Sequence, residues 1–367
     1  MIFTKFDATD IVSGRTNQVS SGLFSTGSIE VDPSTFTTSS VQSRLVSGSG
    51  AADIKNGQYY VDVYYNGEVY FSIAYGDNAA SGSSIFNTST STPQLYSEET
   101  KAVYVQYKNM LLQPGDSLFS FPTGSSSTTT TDSDSIFVIN FAADKFKDQV
   151  DPGQIQLNLS GANGQFSFID DSTIVNKKSS VYNLISGSVV SGVSTPYRQN
   201  NAVNYKAFGL FYPQNGVIVL NASQIDKIVG LGGQILNRQT YSNSYSYNGE
   251  FLNAYRLWTW KLFAAIKLCN KTWKARKSEF VPSSNYFVRV KNQEYNYTNN
   301  PTFVSNGSDG LTKGTIIYQD LINNPKTYIT TVGLYNDNNE LLAIGKLSKP
   351  TQKSFDNELL IKVRVDF

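Results

Sequence analysis

Alternation of apolar and polar side chains dominates this sequence, and it is cleanest at the C-terminal end. Leu359, Ile361, Val363, Val365 and Phe367 fall on one side, while Glu358, Lys362, Arg364 and Asp366 fall on the other, with Leu360 as the exception. A period of two predicts a strand with one face buried against a partner sheet or a neighbouring subunit. Upstream, residues 328–335 are β-branched and aromatic and predict another strand. Asn336-Asp337-Asn338-Asn339 predicts a turn, because such side chains bond nearby backbone and tolerate positive φ. Residues 341–347 return as a second strand, which Lys349-Pro350 is expected to end by removing a ladder donor.

The same grammar runs through the middle of the chain. Two aromatic-aliphatic runs within 58–75 flank Asn66-Gly67, the strongest short hairpin signal. Residues 136–141 are apolar throughout, which predicts a central strand. Residues 154–159 and 164–169 alternate and form a second hairpin, and 181–185 and 217–220 add further strands. Residues 77–95 and the low-complexity run 124–135 are expected to be loops. Helical spacing appears at 98–112, through Val103, Tyr107, Met110 and Leu111, with Glu98 and Glu99 at the favoured end. Ser223 is a candidate N-cap for a helix interrupted by Gly230, Gly232 and Gly233. The strongest stripe is Phe251, Tyr255, Trp258, Leu262, Ile266, Cys269 and Trp273, which predicts one long amphipathic helix over 251–277. The expected fold is mainly β, with β-sandwich or barrel-like domains and that one helix, α+β overall. The expected organisation is an extended N-terminal arm (1–50), a β-rich domain (51–220), a helical insertion (221–278) and a C-terminal β domain (279–367). The arm, anchored by Phe3, Phe6, Ile11 and Val12, would lie on another subunit or on the chain's own body, with a disordered terminus as the plain alternative.

Composition narrows the chemistry. Charged residues are 16% of the chain against an average near ~25%, and Tyr and Phe number 23 and 22, which argues for a packed β-rich body. The absence of histidine excludes Ser-His-Asp and Cys-His catalysis, His-containing zinc sites and a histidine pH switch. Cys269 is the only cysteine, so no intramolecular disulfide forms and a reducing compartment is expected. A net charge of +1 gives no whole-molecule attraction to nucleic acid or anionic membrane. No segment has the run of apolar residues a membrane span needs, and the start lacks a signal-peptide core.

Several candidate sites remain. The predicted helix carries Lys267, Lys271, Lys274, Arg276 and Lys277, a candidate basic docking face for an acidic protein surface; the plainer reading is a helix whose basic end complements its dipole. Asp170-Asp171, Glu98-Glu99 and Asp132/Asp134 are carboxylate pairs, but strand neighbours point to opposite faces, so a glycosidase pair is not indicated. Asp337/Asp320 and Asp132/Asp134 lack the alternating ligands and closing glutamate of a calcium loop. Residues 294–303, EYNYTNNPTF, are aromatic and amide-rich, a composition that suits sugar stacking as well as a plain turn covering the core. No phosphate-binding loop or dinucleotide fingerprint is present, and no cofactor or metal is expected.

The runs at 328–350 (YITTVGLYNDNNELLAIGKLSKP), 353–367 (KSFDNELLIKVRVDF), 137–161 and 275–303 resemble virion structural proteins of T4-like contractile-tailed phages, of cyanophage type. The resemblance implies a non-enzymatic tail component located in the virion, a baseplate wedge or peripheral baseplate protein, with a tail-fibre attachment or receptor-binding adhesin, or a neck or tail-completion protein, as the alternative. Its implied partners are other tail proteins, with the chain present in multiple copies and no nucleic acid or membrane span involved. Leu359, Ile361, Val363, Val365 and Phe367, with the arm anchors, would then form the assembly interface.

Overall fold

The computed structural model describes residues 5–24, 27–38, 60–83, 85–86, 95–96, 98–124, 129–175, 179–197, 205–231, 244–247, 250–307 and 313–366. Strands take 48% and helices 17% of it, so the protein is mainly β. Two compact units emerge, Val19–Glu279 and a smaller one made of Met1–Gln18 with Phe280–Phe367.

In the larger unit the Asn66-Gly67 signal is realised. Both residues have positive φ (51° and 81°), as a two-residue hairpin turn requires, and Tyr60–Tyr65 pairs with Glu68–Asp77. Ser135–Phe141 lies between Glu68–Asp77 and Val217–Asn221, the central placement its apolar run predicts. The hairpin Gln156–Gly161/Gly164–Asp170 and the strands Tyr182–Val190 and Ala207–Tyr212 extend the same antiparallel sheet to twelve strands. Its two terminal strands, Glu30–Val31 and Thr37–Thr38, are separated only by the 3-10 turn Pro33–Thr35. A link that short spans at most about 20 Å, so the sheet has to curl until its edges approach.

Because successive side chains of a strand point to opposite faces, the strand Ser135–Phe141 contributes to two cores. Phe137, Ile139 and Phe141 join the concave cluster, which the helix Ala254–Lys267 fills with Trp258, Leu262, Phe263 and Ile266. Ile136 and Val138 face outward into a second cluster, covered by Val103 and Tyr104 of the helix Glu99–Leu111 and by Phe119 and Phe121. That helix lies so close that a Cβ on Gly76 would come within 2.8 Å of the Tyr104 backbone nitrogen. Burial pushes the Tyr104 phenol up to about 12. Its hydroxyl donates to the Ser133 carbonyl (2.8 Å) and accepts from the Phe119 amide (3.2 Å).

Four expectations need correction. None of the five α-helices among the described residues is one long amphipathic helix. The helix expected over 251–277 is confined to Ala254–Lys267, preceded by the strand Glu250–Asn253 and followed by Trp273–Lys274 and Arg276–Val290 as strands. Cys269 and Trp273 are buried, as the stripe demands, but from a loop and a strand; pairing of Trp273 with Val31 and of Lys274 with Gln156 replaces helical hydrogen bonds. The N-cap of Ala222–Val229 is Asn221, whose side chain accepts from the Gln224 amide at 3.0 Å, and not Ser223. The low-complexity run is not all loop, since Thr130–Ser133 pairs with Phe119–Pro122. Nor does Pro350 end its strand: Leu341–Lys353 continues past it, with the register shift between Ile329 and Thr331 absorbing the missing donor.

In the smaller unit, residues 283–290 pair antiparallel with Leu359–Asp366, setting Val288 opposite Ile361 and Tyr286 opposite Val363. The strand beginning at Ile11 flanks the other side, where Asn285 Nδ2 donates to the Val12 carbonyl (3.5 Å) and Arg289 Nε to Asp10 (2.8 Å). Thr327–Tyr335 and Leu341–Lys353 form a separate two-stranded hairpin. Its turn is held by Asn336, whose Oδ1 accepts from the amides of Asn338 (3.0 Å) and Glu340 (2.8 Å).

Candidate functional site

A cleft of about 820 Å³ lies in the smaller unit. Residues 291–297 form a turn that brings Tyr295 and Tyr297 to its lining. The Lys291 amide donates to Glu294 Oε2 (3.0 Å), and Asn296 Nδ2 donates to the Asn292 carbonyl (2.7 Å). Beneath this turn lies Lys353, fully buried, whose ammonium donates to the Asn292 carbonyl (2.8 Å), Asn296 Oδ1 (2.9 Å) and the Ser354 carbonyl (2.6 Å). Tyr295, at the turn's end, has φ of 57°, a left-handed conformation uncommon for an aromatic residue. Its carbonyl accepts from Thr327 Oγ1 at 2.5 Å. Tyr297 meets Phe303 edge-on (5.6 Å) and donates its hydroxyl to the Gly314 carbonyl (3.0 Å). The hairpin supplies Tyr328 and Tyr335, and the N-terminal segment supplies Phe6. The charged side chains of the lining pair off, Arg289 with Asp10 and Lys5 with Asp337 (3.6 Å).

The expected assembly residues occupy several settings. Phe3 and Phe367 lie outside the described residues. Phe6 is half-buried and packs on Tyr286 with ring centroids 5.6 Å apart, whereas Ile11 and Val12 are exposed. Ile361 is buried and Leu359, Val363 and Val365 are half-buried, while Leu360, Lys362, Arg364 and Asp366 are exposed. Val363 faces the chain's own hairpin, since a Cβ on Gly345 would lie 3.4 Å from one of its methyl groups.

The basic residues do not share a helical face, because the helix stops at Lys267. Lys267 borders a shallow pocket with Trp260 and Phe263. Lys271 donates to Ser167 Oγ (3.2 Å), and Lys274 pairs with Glu30 (2.7 Å) and donates to the Val189 carbonyl (3.0 Å). Arg276 binds Asp151 through Nε (2.5 Å) and Nη2, and Lys277 lies in the strand paired with Val150. Internal ion pairing thus uses two of the five cations that were expected to face a partner.

Asp170 and Asp171 close a strand and begin a turn, as their position predicts. Asp170 Oδ2 accepts from the Gly153 amide (2.7 Å) and from the Ser172 hydroxyl, and Asp171 accepts from the amide (2.9 Å) and side chain (2.7 Å) of Asn183. Burial nevertheless pushes both carboxyls above the ordinary aspartate range. A folded pKa above the unfolded one favours the protonated form in the fold. Its stabilising effect is complete below the unfolded pKa and is lost as pH rises through the folded value. Urea midpoints of wild type minus Asp170→Asn should therefore rise as pH falls from about 7 to about 4. A flat or falling difference would show that the buried carboxyl does not titrate this way.

Among the described residues, no group of three or more histidine, cysteine, aspartate or glutamate side chains could hold a metal ion, and no helix is long and apolar enough to cross a membrane. Lys353 and the Asp10–Arg289 pair were not legible in the sequence, since nothing local marks a lysine for burial or joins residues 279 positions apart. No protein family, curated protein or solved structure matches this chain.

Proposed function

We propose that the protein is a non-enzymatic structural component of a contractile phage tail, a baseplate or peripheral baseplate subunit that assembles through its smaller unit. The observation that carries this reading is a pair of exposed apolar side chains that nothing among the described residues covers. On the strand Leu341–Lys353, Leu342 and Ile344 are 69% and 62% exposed, alternating with the half-buried Ala343 and Gly345. The hairpin has no third strand among the described residues, and Leu359–Asp366 is paired on one side only. Unpaired edges beside exposed apolar rows are aggregation hazards in a free protein and docking surfaces in an assembly. A neighbouring subunit that adds a strand gains main-chain hydrogen bonds, with the alternating side chains fixing register. Repetition in a symmetric tail then sums contacts of ordinary strength.

Mass spectrometry and electron cryomicroscopy of purified virions test this reading. The wild-type chain should be present in tails, and Ile344→Asp, which changes an exposed side chain and leaves the cores intact, should be incorporated at least about tenfold less. Virions lacking the wild-type chain, or carrying Ile344→Asp at wild-type level, would refute the proposal.

A further inference from the structure

We infer that the cleft of the smaller unit binds a neutral oligosaccharide, with Tyr295 and Tyr328 as its stacking platforms. This does not rest on the virion reading. Left-handed backbone at a bulky residue is strained, and such strain persists only where the surroundings enforce it. At Tyr295 (φ 57°) the strain is not offset by packing of the ring, which is 53% exposed at the cleft. What enforces it lies below the ring: Lys353 fixes Asn292 and Asn296, and Thr327 holds the Tyr295 carbonyl. The turn is therefore ordered before any ligand arrives, which lowers the entropic cost of binding.

Tyr328, 62% exposed, lines the same cleft from the hairpin, and Tyr297 is fixed by its hydroxyl and by Phe303. Aromatic faces held open to solvent suit the C–H faces of pyranose rings, since each ring joins an apolar face to a polar edge. Thr298, Thr330 and Asn339 bring hydroxyl and amide groups to the lining, where sugar hydroxyls need partners. Charge selects the class of glycan. The lining holds two cations and two carboxylates and so carries no net charge, and Arg289 is engaged by Asp10 (2.8 Å), which favours a neutral sugar over a uronate, sulfate or phosphate. The volume, about 820 Å³, falls within the range of small-ligand sites.

The test uses the full chain on an array of oligosaccharides of glucose, galactose, mannose and N-acetylglucosamine, with sialylated and uronate-containing glycans beside them. Titration calorimetry then follows on the best-retained sugar. The wild type should retain a neutral glycan, and Tyr295→Gly and Tyr328→Ala should each weaken binding about tenfold. Glycine adopts positive φ without strain, so Tyr295→Gly should melt at or above the wild-type temperature, which separates lost binding from lost fold. Retention of no neutral glycan, preference for the acidic ones, or wild-type affinity in both variants overturns the inference.

Discussion

Replacing Trp273 with alanine is expected to destabilise the larger unit by about 3 to 5 kcal/mol, the cost typical of removing a buried indole. The side chain is 2% exposed, stacks on Phe71 (5.0 Å, 19°), meets Phe36 edge-on (5.8 Å) and donates its indole N–H to the Asn158 carbonyl (3.2 Å). These partners come from separate parts of the curled sheet. Trp273 lies next to one terminal strand, Phe71 lies near the opposite end, and Phe36 belongs to the segment that supplies both ends. Truncation would leave a cavity where the edges meet and orphan a buried carbonyl, two penalties that add. Thermal melting should fall by roughly 10 °C for a unit of this size. Trp260, only half-buried, provides the contrast, and its alanine variant should lose far less. Equal losses at the two positions would mean that closure of the curl does not depend on Trp273.

That cluster also marks what the sequence could and could not reveal. Local signals are legible in the sequence: Asn66-Gly67 turns, residues 135–141 are buried on both faces, and the helix Glu99–Leu111 begins beside its acidic pair. Each rests on interactions spanning a few residues. The structure departs from the local pattern where distant pairing overrides it. The stripe ending in Cys269 and Trp273 keeps helical spacing, yet Trp273 is claimed by a strand pairing with Val31, which lies far away in the sequence. Pro350 removes a donor, yet a bulge carries its strand three residues further to Lys353. The N-terminal segment, expected to lie on another subunit or on the chain's own body, includes Glu30–Val31 and Thr37–Thr38, which pair into the main sheet, a role that no local composition encodes. In the candidate site, the aromatic and amide content of 294–303 was visible, whereas the strained Tyr295 and its buried support were not. Strain and burial of a charge break the local rules from which a sequence is read, so they stay hidden until the fold assembles them.

Lys353→Met should therefore have an effect out of proportion to its conservative shape. Methionine fills a similar volume, so little packing is lost, but the Asn292 carbonyl, Asn296 Oδ1 and the Ser354 carbonyl lose a charged donor together. Hydrogen bonds to an ionised group contribute more than neutral ones, and buried acceptors left without a partner carry a desolvation penalty. We expect a loss of about 3 kcal/mol in the smaller unit. Arginine should not rescue it, since its rigid fork does not match three oxygens gathered around a single nitrogen. The surface lysines Lys346 and Lys349 are controls, and methionine there should change stability by no more than about 0.5 kcal/mol. Amide hydrogen exchange reports the local consequence: residues 291–297 should lose protection in Lys353→Met, while residues 135–141 of the larger unit keep theirs. With its support gone, the turn has no reason to hold Tyr295 at positive φ, and the backbone should relax toward ordinary values. Unchanged exchange across 291–297 would mean that the turn orders itself and that the buried ammonium is incidental to the geometry of the cleft.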